Sequence, residues 1–395
     1  MRTVHRTLAI ILPALTLGAA QGRAQTPNVR ISGRIQAHFS TSDGDSTASY
    51  NPSAVVNSAF EIRRLRIQAD VRIGENVTMV LQPSFEMSAL RMRDAWVRVL
   101  LWRSANAGLG LTVGQEKKPF NRYELTSSNT LPSIERGTRL RGFSGVAAQN
   151  NLLEENGYLA QDLGASADAY LLQNRVAVKV GLYNGSGESA ADVNGAKTAV
   201  ARAVGTVLQD AEARPMLRVG ASLINRDRAV TTTAVSTAFS PDSSRRTGAW
   251  GVEAEWGDFR PGFHVIADLA GGTNLEDAAF RYSVGRNNGN VRPNAPDSAF
   301  STFRSLHVVA SWRWQFADPT GTRLIKIFEP ALRVDLTDPN TDRDNDAGLL
   351  ITPVLNVHFS QTTLMRAGVD LYRYRDATGA TRSVRAFRVA WQANF

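Results

Sequence analysis

The chain has 395 residues, 43% of them hydrophobic and 8% aromatic, with a formal net charge of +9 and no cysteine. The apolar fraction is too high for a disordered chain and too low for a bundle of membrane helices, and the lack of cysteine excludes disulfide scaffolds, thiolate metal sites and cysteine nucleophiles. The basic excess suggests a basic patch but is spread too thinly to name a partner, and nothing marks a nucleic acid as one.

The chain opens Met-Arg-Thr-Val-His-Arg, followed by an apolar run from Thr7 to Ala20 and small residues up to Ala24. A charged start, an apolar stretch too short to span as a mature helix and a Gly22-Arg23-Ala24 cleavage site predict a secretory signal peptide over residues 1–24. A cut after Ala24 also removes Arg2, Arg6 and Arg23, lowering the charge to about +6. Residues 25–395 then read as one exported domain. They hold no apolar run long enough for a helical membrane span.

From Val29 onward the sequence alternates with period two, the signature of strands with one apolar face. Val29, Ile31, Gly33, Ile35, Ala37 and Phe39 oppose Arg30, Ser32, Arg34, Gln36 and His38. Leu65, Ile67, Ala69, Val71 and Ile73 oppose Arg64, Arg66, Gln68, Asp70 and Arg72. The pattern recurs around Leu306–Phe316 and Met365–Tyr372, and ends with Phe387, Val389, Trp391, Ala393 and Phe395 on one face. About sixteen such segments are predicted. They begin near Val29, Asn57, Asn76, Arg91, Ala107, Tyr158, Asn174, Gly195, Ala213, Thr247, Asp258, Phe303, Leu324, Ala347, Thr363 and Ser383.

Short and long connections alternate along the chain. Gly74–Asn76, Ser104–Ala107, Gln173–Asn174, Asp210–Arg214, Gly257–Asp258, Ala317–Arg323 and Ser360–Thr362 are short, whereas Ser40–Val56, Pro119–Gly157, Asn184–Asn194, Asn225–Arg246, Gly272–Thr302 and Thr337–Asp346 are long and polar. A soluble sandwich has no reason to keep its long loops at one end. A transmembrane antiparallel β-barrel does, with tight periplasmic turns and long outer loops. Lipid cannot solvate charge, so the apolar faces must point outward to outer-membrane lipid and the arginine-bearing faces must line a wet lumen.

Three stretches resemble the phosphate-selective porin O and P family of Gram-negative outer membranes. The first is Phe60-Glu61-Ile62-Arg63-Arg64-Leu65-Arg66. The second runs Val113-Gly114-Gln115-Glu116-Lys117-Lys118-Pro119-Phe120, then Glu124-Leu125-Thr126-Ser127-Ser128-Asn129, then Glu135-Arg136. The third is Gln161-Asp162-Leu163-Gly164 with Val180-Gly181-Leu182-Tyr183-Asn184-Gly185. The resemblance implies a sixteen-stranded homotrimeric porin whose third long loop, here Pro119–Gly157, folds inward and narrows the pore. It also implies that phosphate or other small anions are drawn along basic side chains.

The alternation agrees in kind. Arg34, Arg64, Arg66, Arg98 and Lys118 face the lumen, Arg63 and Lys117 adjoin them, and Arg122, Arg136, Arg139 and Arg141 lie in the inward loop. Planar guanidinium groups suit phosphate, and rings of basic side chains favour anions. Carboxylates such as Asp94, Glu116, Asp162, Asp168, Glu253 and Glu255 also face inward, so the excess is moderate. Arg63, Arg64 and Arg66 read either as an anion relay or as charges that keep the wall wet. Lys117-Lys118 read either as the mouth of the constriction or as a solvated strand end. One departure weighs against phosphate specificity: phosphate-specialised relatives carry lysines in the inward loop, and Pro119–Gly157 has none.

Other patterns lead nowhere. Asp342-Arg343-Asp344-Asn345-Asp346 lacks the glycine and the bidentate glutamate of a calcium loop. Gly108, Gly110 and Gly114 mimic a nucleotide fingerprint but lie within a strand with no following helix. No serine is marked as a nucleophile for the four scattered histidines, so neither an enzyme nor a cofactor is expected. The tryptophans fit an interfacial girdle. The expectation is a passive, anion-favouring channel for phosphate or polyphosphate; a general-diffusion porin with weak anion bias and a non-conducting adhesin or anchor remain the alternatives.

Overall fold

In a strand, successive side chains point to opposite faces, so alternating sequences build a sheet with one polar and one apolar face, which suits a wall between water and lipid. The computed structural model closes this sheet on itself. It describes residues 26–42, 58–86, 89–137, 148–192, 195–229, 244–274, 301–342, 344, 346–375 and 381–395. The leader read over residues 1–24, Arg139, Arg141, and Arg343 and Asn345 of the acidic run lie outside the described residues.

The strands are β1 (Asn28–Ser42), β2 (Ser58–Ile73), β3 (Val77–Glu86), β4 (Ala89–Arg103), β5 (Gly108–Lys117), β6 (Gln161–Leu171), β7 (Val176–Tyr183) and β8 (Thr198–Gln209). The second half is β9 (Pro215–Ala229), β10 (Ser244–Trp256), β11 (Gly262–Asn274), β12 (Ser301–Gln315), β13 (Ile327–Asp338), β14 (Gly348–His358), β15 (Thr363–Arg375) and β16 (Thr381–Asn394). Two short helices, α1 (Arg122–Leu125) and α2 (Gln149–Glu155), lie in the connection between β5 and β6. Each strand pairs antiparallel with its neighbours in sequence, and β1 pairs with β16 to close the barrel. All sixteen predicted segments are present, each starting within four residues of its expected position.

Closure involves Phe395, which exchanges backbone hydrogen bonds with Gly33, N to O at 2.9 and 3.0 Å. A side chain at position 33 would meet the Phe395 ring and lie 2.8 Å from the Arg66 carbonyl oxygen, which favours glycine there. The outward aromatic residues Trp250, Trp312, Trp314, Trp391 and Phe395 are exposed, as lipid-facing side chains are.

Two β-bulges break strict alternation on neighbouring stretches of wall. Gln36 pairs with Arg64 but Ala37 with Ile62, so Arg63 is an extra residue in β2. Gln82 pairs with Asp94 but Pro83 with Met92, so Arg93 is extra in β4. A bulge lets two consecutive side chains share a face. Here it turns both Arg63 and Arg64 inward while Ile62 and Leu65 keep to the outside.

The lumen is not polar throughout. Buried apolar clusters sit inside the barrel: Phe120, Leu152, Leu153 and Tyr158 of the β5–β6 loop pack on Val200, Ile224, Ala249 and Phe303 of the wall. A second cluster joins loop residue Ile134 to Ala331, Val354 and Ala390. The reason is physical. A loop that folds into a barrel must bury its own apolar side chains, and only inward-facing apolar positions can receive them.

Candidate functional site

The described parts of the β5–β6 connection, residues 118–137 and 148–160, follow the inner wall almost strand by strand. The connection leaves β5 through a tight turn in which the Phe120 N–H donates to the Lys118 carbonyl at 2.8 Å. Asn121 has a positive φ of 69° and caps α1 by accepting from the Glu124 N–H at 3.0 Å. The N–H groups of Arg122 and Tyr123 donate to the Asp268 carboxylate of β11 at 2.8 and 3.0 Å. The Arg122 guanidinium forks onto Glu255 of β10 at 2.7 and 2.9 Å. The Tyr123 ring lies 3.8 Å from that of His307 on β12, and the His307 Nδ1 is 2.8 Å from Asp335 on β13.

Farther along, Asn356 of β14 donates to the Pro132 carbonyl at 2.9 Å, and Arg366 of β15 to the Asn129 carbonyl at 3.0 Å. The Asn129 side-chain oxygen accepts from Arg34 of β1 and from Gln392 of β16. The Glu135 carbonyl accepts from Arg333 at 3.0 Å, and its carboxylate meets Arg63 at 2.9 Å and Arg64 at 2.6 Å. The loop therefore reaches the wall opposite its root. After residues 138–147, α2 returns it. Gln149 donates to the Asp268 and Ser305 carbonyls, and Tyr158 donates to the Thr273 carbonyl at 2.7 Å.

The loop carboxyls respond to this setting. Burial raises the Glu135 carboxyl, but the Arg63 and Arg64 charges outweigh it and hold it well below the usual carboxylate range. For Glu124 burial is likewise outweighed, by Lys117 and Arg136, and its carboxyl falls to about 2. Burial lowers the Lys118 ammonium to about 8 against the opposing pull of Asp162.

The sequence-predicted basic residues are therefore mostly engaged with partners. Arg63 and Arg64 grip Glu135, and Arg66 grips Glu86. Arg98 pairs with Asp168, Lys117 with Glu124 at 3.1 Å, and Lys118 with Asp162 at 3.6 Å. Arg136 donates to the Tyr123 and Thr126 carbonyls and lies 3.4 Å from Glu124. Arg34 is buried on Asn129. The Arg63-Arg64-Arg66 run is paired with carboxylates rather than free. Two of these arginines fasten the loop, and the third braces Glu86.

Between the loop and the β2–β4 wall lies a cavity of about 160 Å³. Seven basic residues line it (Arg63, Arg64, Arg66, Arg91, Arg93, Lys117, Arg136) against five acidic ones (Glu86, Glu124, Glu135, Glu154, Glu188), an excess of two positive charges. Arg93, Glu86 and Glu188 went unnoticed in the sequence. Arg93 forks onto Glu86 at 2.9 and 3.2 Å and bonds Glu188 at 2.9 Å. The clue was Pro83, which pairs with Met92 directly beside the extra residue Arg93, because proline within a sheet favours bulges.

Comparison with known proteins now has a geometry to meet. No curated protein sequence matches the chain. The outer membrane channel DcaP of Acinetobacter baumannii shares the fold, with a TM-score of 0.57 at 12% identity over 95% of this chain and 99% of that one. An anion-selective porin from Comamonas acidovorans does so with a TM-score of 0.56 at 11% identity, over 94% of this chain and 100% of that one. OmpT of Vibrio cholerae, in a trimer form, gives 0.52 at 11% identity over 93% and 99%. Residues 29–257 match the family described as phosphate-selective porin O and P, more than half of the chain. The sixteen-stranded barrel, apolar outside and largely polar within, is that of a Gram-negative outer-membrane protein. The chain belongs to the phosphate-selective porin O and P family.

Proposed function

We propose that this outer-membrane channel passively conducts small anions in preference to cations, with phosphate or polyphosphate among its solutes. The observation that carries the reading is the excess of two positive charges around the cavity between the inward loop and β2–β4. A ring of basic side chains lowers the barrier for anions and raises it for cations. Size selection follows from the loop, whose described residues occupy part of the lumen and are held there by apolar packing and hydrogen bonds. The anion-selective porin that shares the fold supports the same direction.

A second reading, general diffusion with weak anion bias, draws on the pairing of most of these cations with carboxylates. Paired charges attract a solute less than free ones, and screening by salt weakens them further. Assembly as a homotrimer in outer-membrane lipid fits the trimer form of OmpT. Single-channel conductance in planar bilayers, with chloride and phosphate salts compared, tests the proposal. Higher conductance for anions, with phosphate carried, supports it. Cation preference overturns it, and absence of conductance overturns both readings.

A further inference from the structure

Loop 184–197, between β7 and β8, places one carboxylate in the solute cavity. The Glu188 Oε2 accepts from Arg93 Nη1 at 2.9 Å and lies 3.7 Å from Arg91 Nη1. Its other oxygen, Oε1, is buried with no hydrogen-bond partner. Arg93 cannot swing away, because its Nε and Nη2 edge is held bidentately by Glu86. Arg91 is free to meet solvent, with its side chain 53% exposed. Two guanidinium groups thus converge on one point from the same strand, and the carboxylate there uses only one of its oxygens.

We infer that Arg91 and Arg93 form a binding site for a small oxyanion, a carboxylate or phosphate group, which Glu188 fills as a tethered stand-in and a permeating solute takes over. The inference rests on the anion-channel reading above and names a resting point on that path. Guanidinium forks bind oxyanions best when two oxygens accept, so a solute able to offer both would be held better than Glu188, whose Oε1 is orphaned. Burying an unsatisfied carboxylate oxygen is costly, so displacing it relieves a penalty. The exchange does not require the loop to open. The backbone stays fixed on either side by the Gly185 N–H on Asp162 at 2.9 Å and the Ser189 N–H on Gln115 at 2.6 Å. Only the Glu188 side chain need rotate. Gly187, just before Glu188, has a φ of +91°, a conformation that favours glycine.

A tethered competitor acts at an effective concentration on the order of millimolar. It would therefore set the solute concentration at which the channel saturates. The test measures how phosphate and acetate reduce chloride current through single channels, in the wild type, in Glu188→Gln, and in Asp192→Asn as a control for removing a charge from the same loop. Glu188→Gln is expected to lower the half-saturating concentration of at least one probe by about tenfold. Adding Arg91→Ala to Glu188→Gln should erase the gain, Glu188→Asp should fall between, and Asp192→Asn should match the wild type. A gain for either probe supports the site and names the oxyanion it prefers. An equal shift in Asp192→Asn, or no shift in Glu188→Gln with the wild type still anion-favouring, overturns it. Cation preference in the wild type itself would instead overturn the channel reading beneath it.

Discussion

Arg64 and Glu135 meet inside the barrel, Nη2 to Oε2 at 2.6 Å and Nη1 to Oε1 at 2.9 Å, joining β2 to the far end of the inward loop. Arg63 reaches the same carboxylate because a bulge turns it inward beside Arg64. All three side chains are largely buried. Removing one partner from a buried pair costs roughly 3–5 kcal/mol, since the other charge stays behind uncompensated. Glu135→Ala is therefore expected to unseat the loop and raise single-channel conductance about twofold or more. The barrel itself should survive, as shown by unchanged heat-modifiable mobility on gels. Wild-type conductance in this variant would mean that the loop is held elsewhere.

Arg64→Ala combined with Arg66→Ala leaves Glu135 facing the cavity with one cation fewer and Glu86 with two fewer. Reversal potentials should move toward cations while the barrel stays folded. Unchanged reversal potentials would show that solutes do not pass this wall.

Ile134 packs on Ala331, Val354 and Ala390, and a side chain at Gly368 would touch its Cδ1 at 3.4 Å. Replacing a buried isoleucine by alanine costs about 2–5 kcal/mol. Ile134→Ala should loosen the loop and increase open-channel current noise, with little effect on selectivity because no charge changes. A shift in selectivity without added noise would contradict this role.

The pH response separates two kinds of carboxylate. Burial raises the Glu188 carboxyl above its ordinary range against the pull of Arg93 and Arg91, with the negative Glu86 adding to the rise. Glu124 is depressed to about 2 and Glu135 lies well below 4.5. A depressed carboxyl contributes stability that is present above its unfolded value near 4.5 and is lost only as pH falls through its folded value. Mild acid should therefore neutralise Glu188 before Glu124 or Glu135, strengthening anion preference. Reversal potential and conductance measured together across pH check this. A conductance jump in mild acid would mean the loop carboxylates titrate early.

The barrel could be read from the sequence because a membrane imposes one rule on every strand. Val29 to Phe39 and Phe387 to Phe395 each announce their lipid face with no knowledge of the rest. The candidate site was legible in residue type but not in arrangement. Arg63 and Arg93 violate period two, and only the bulges opposite Gln36–Ala37 and Gln82–Pro83 explain how they face inward. Glu135, the loop partner of Arg64 and Arg333, lies 71 and 198 residues from them, a separation at which no local pattern carries information. The apolar lumen positions Val200, Ile224 and Val354 were invisible for a related reason. Their cover is a loop whose path depends on the whole wall.

The reversal potential of the wild-type channel across a potassium chloride gradient tests the central claim most directly. An excess of two positive charges around the cavity should give a potential of the sign set by chloride, shrinking as salt rises and screens the wall. A potential of the sign set by potassium would contradict the account.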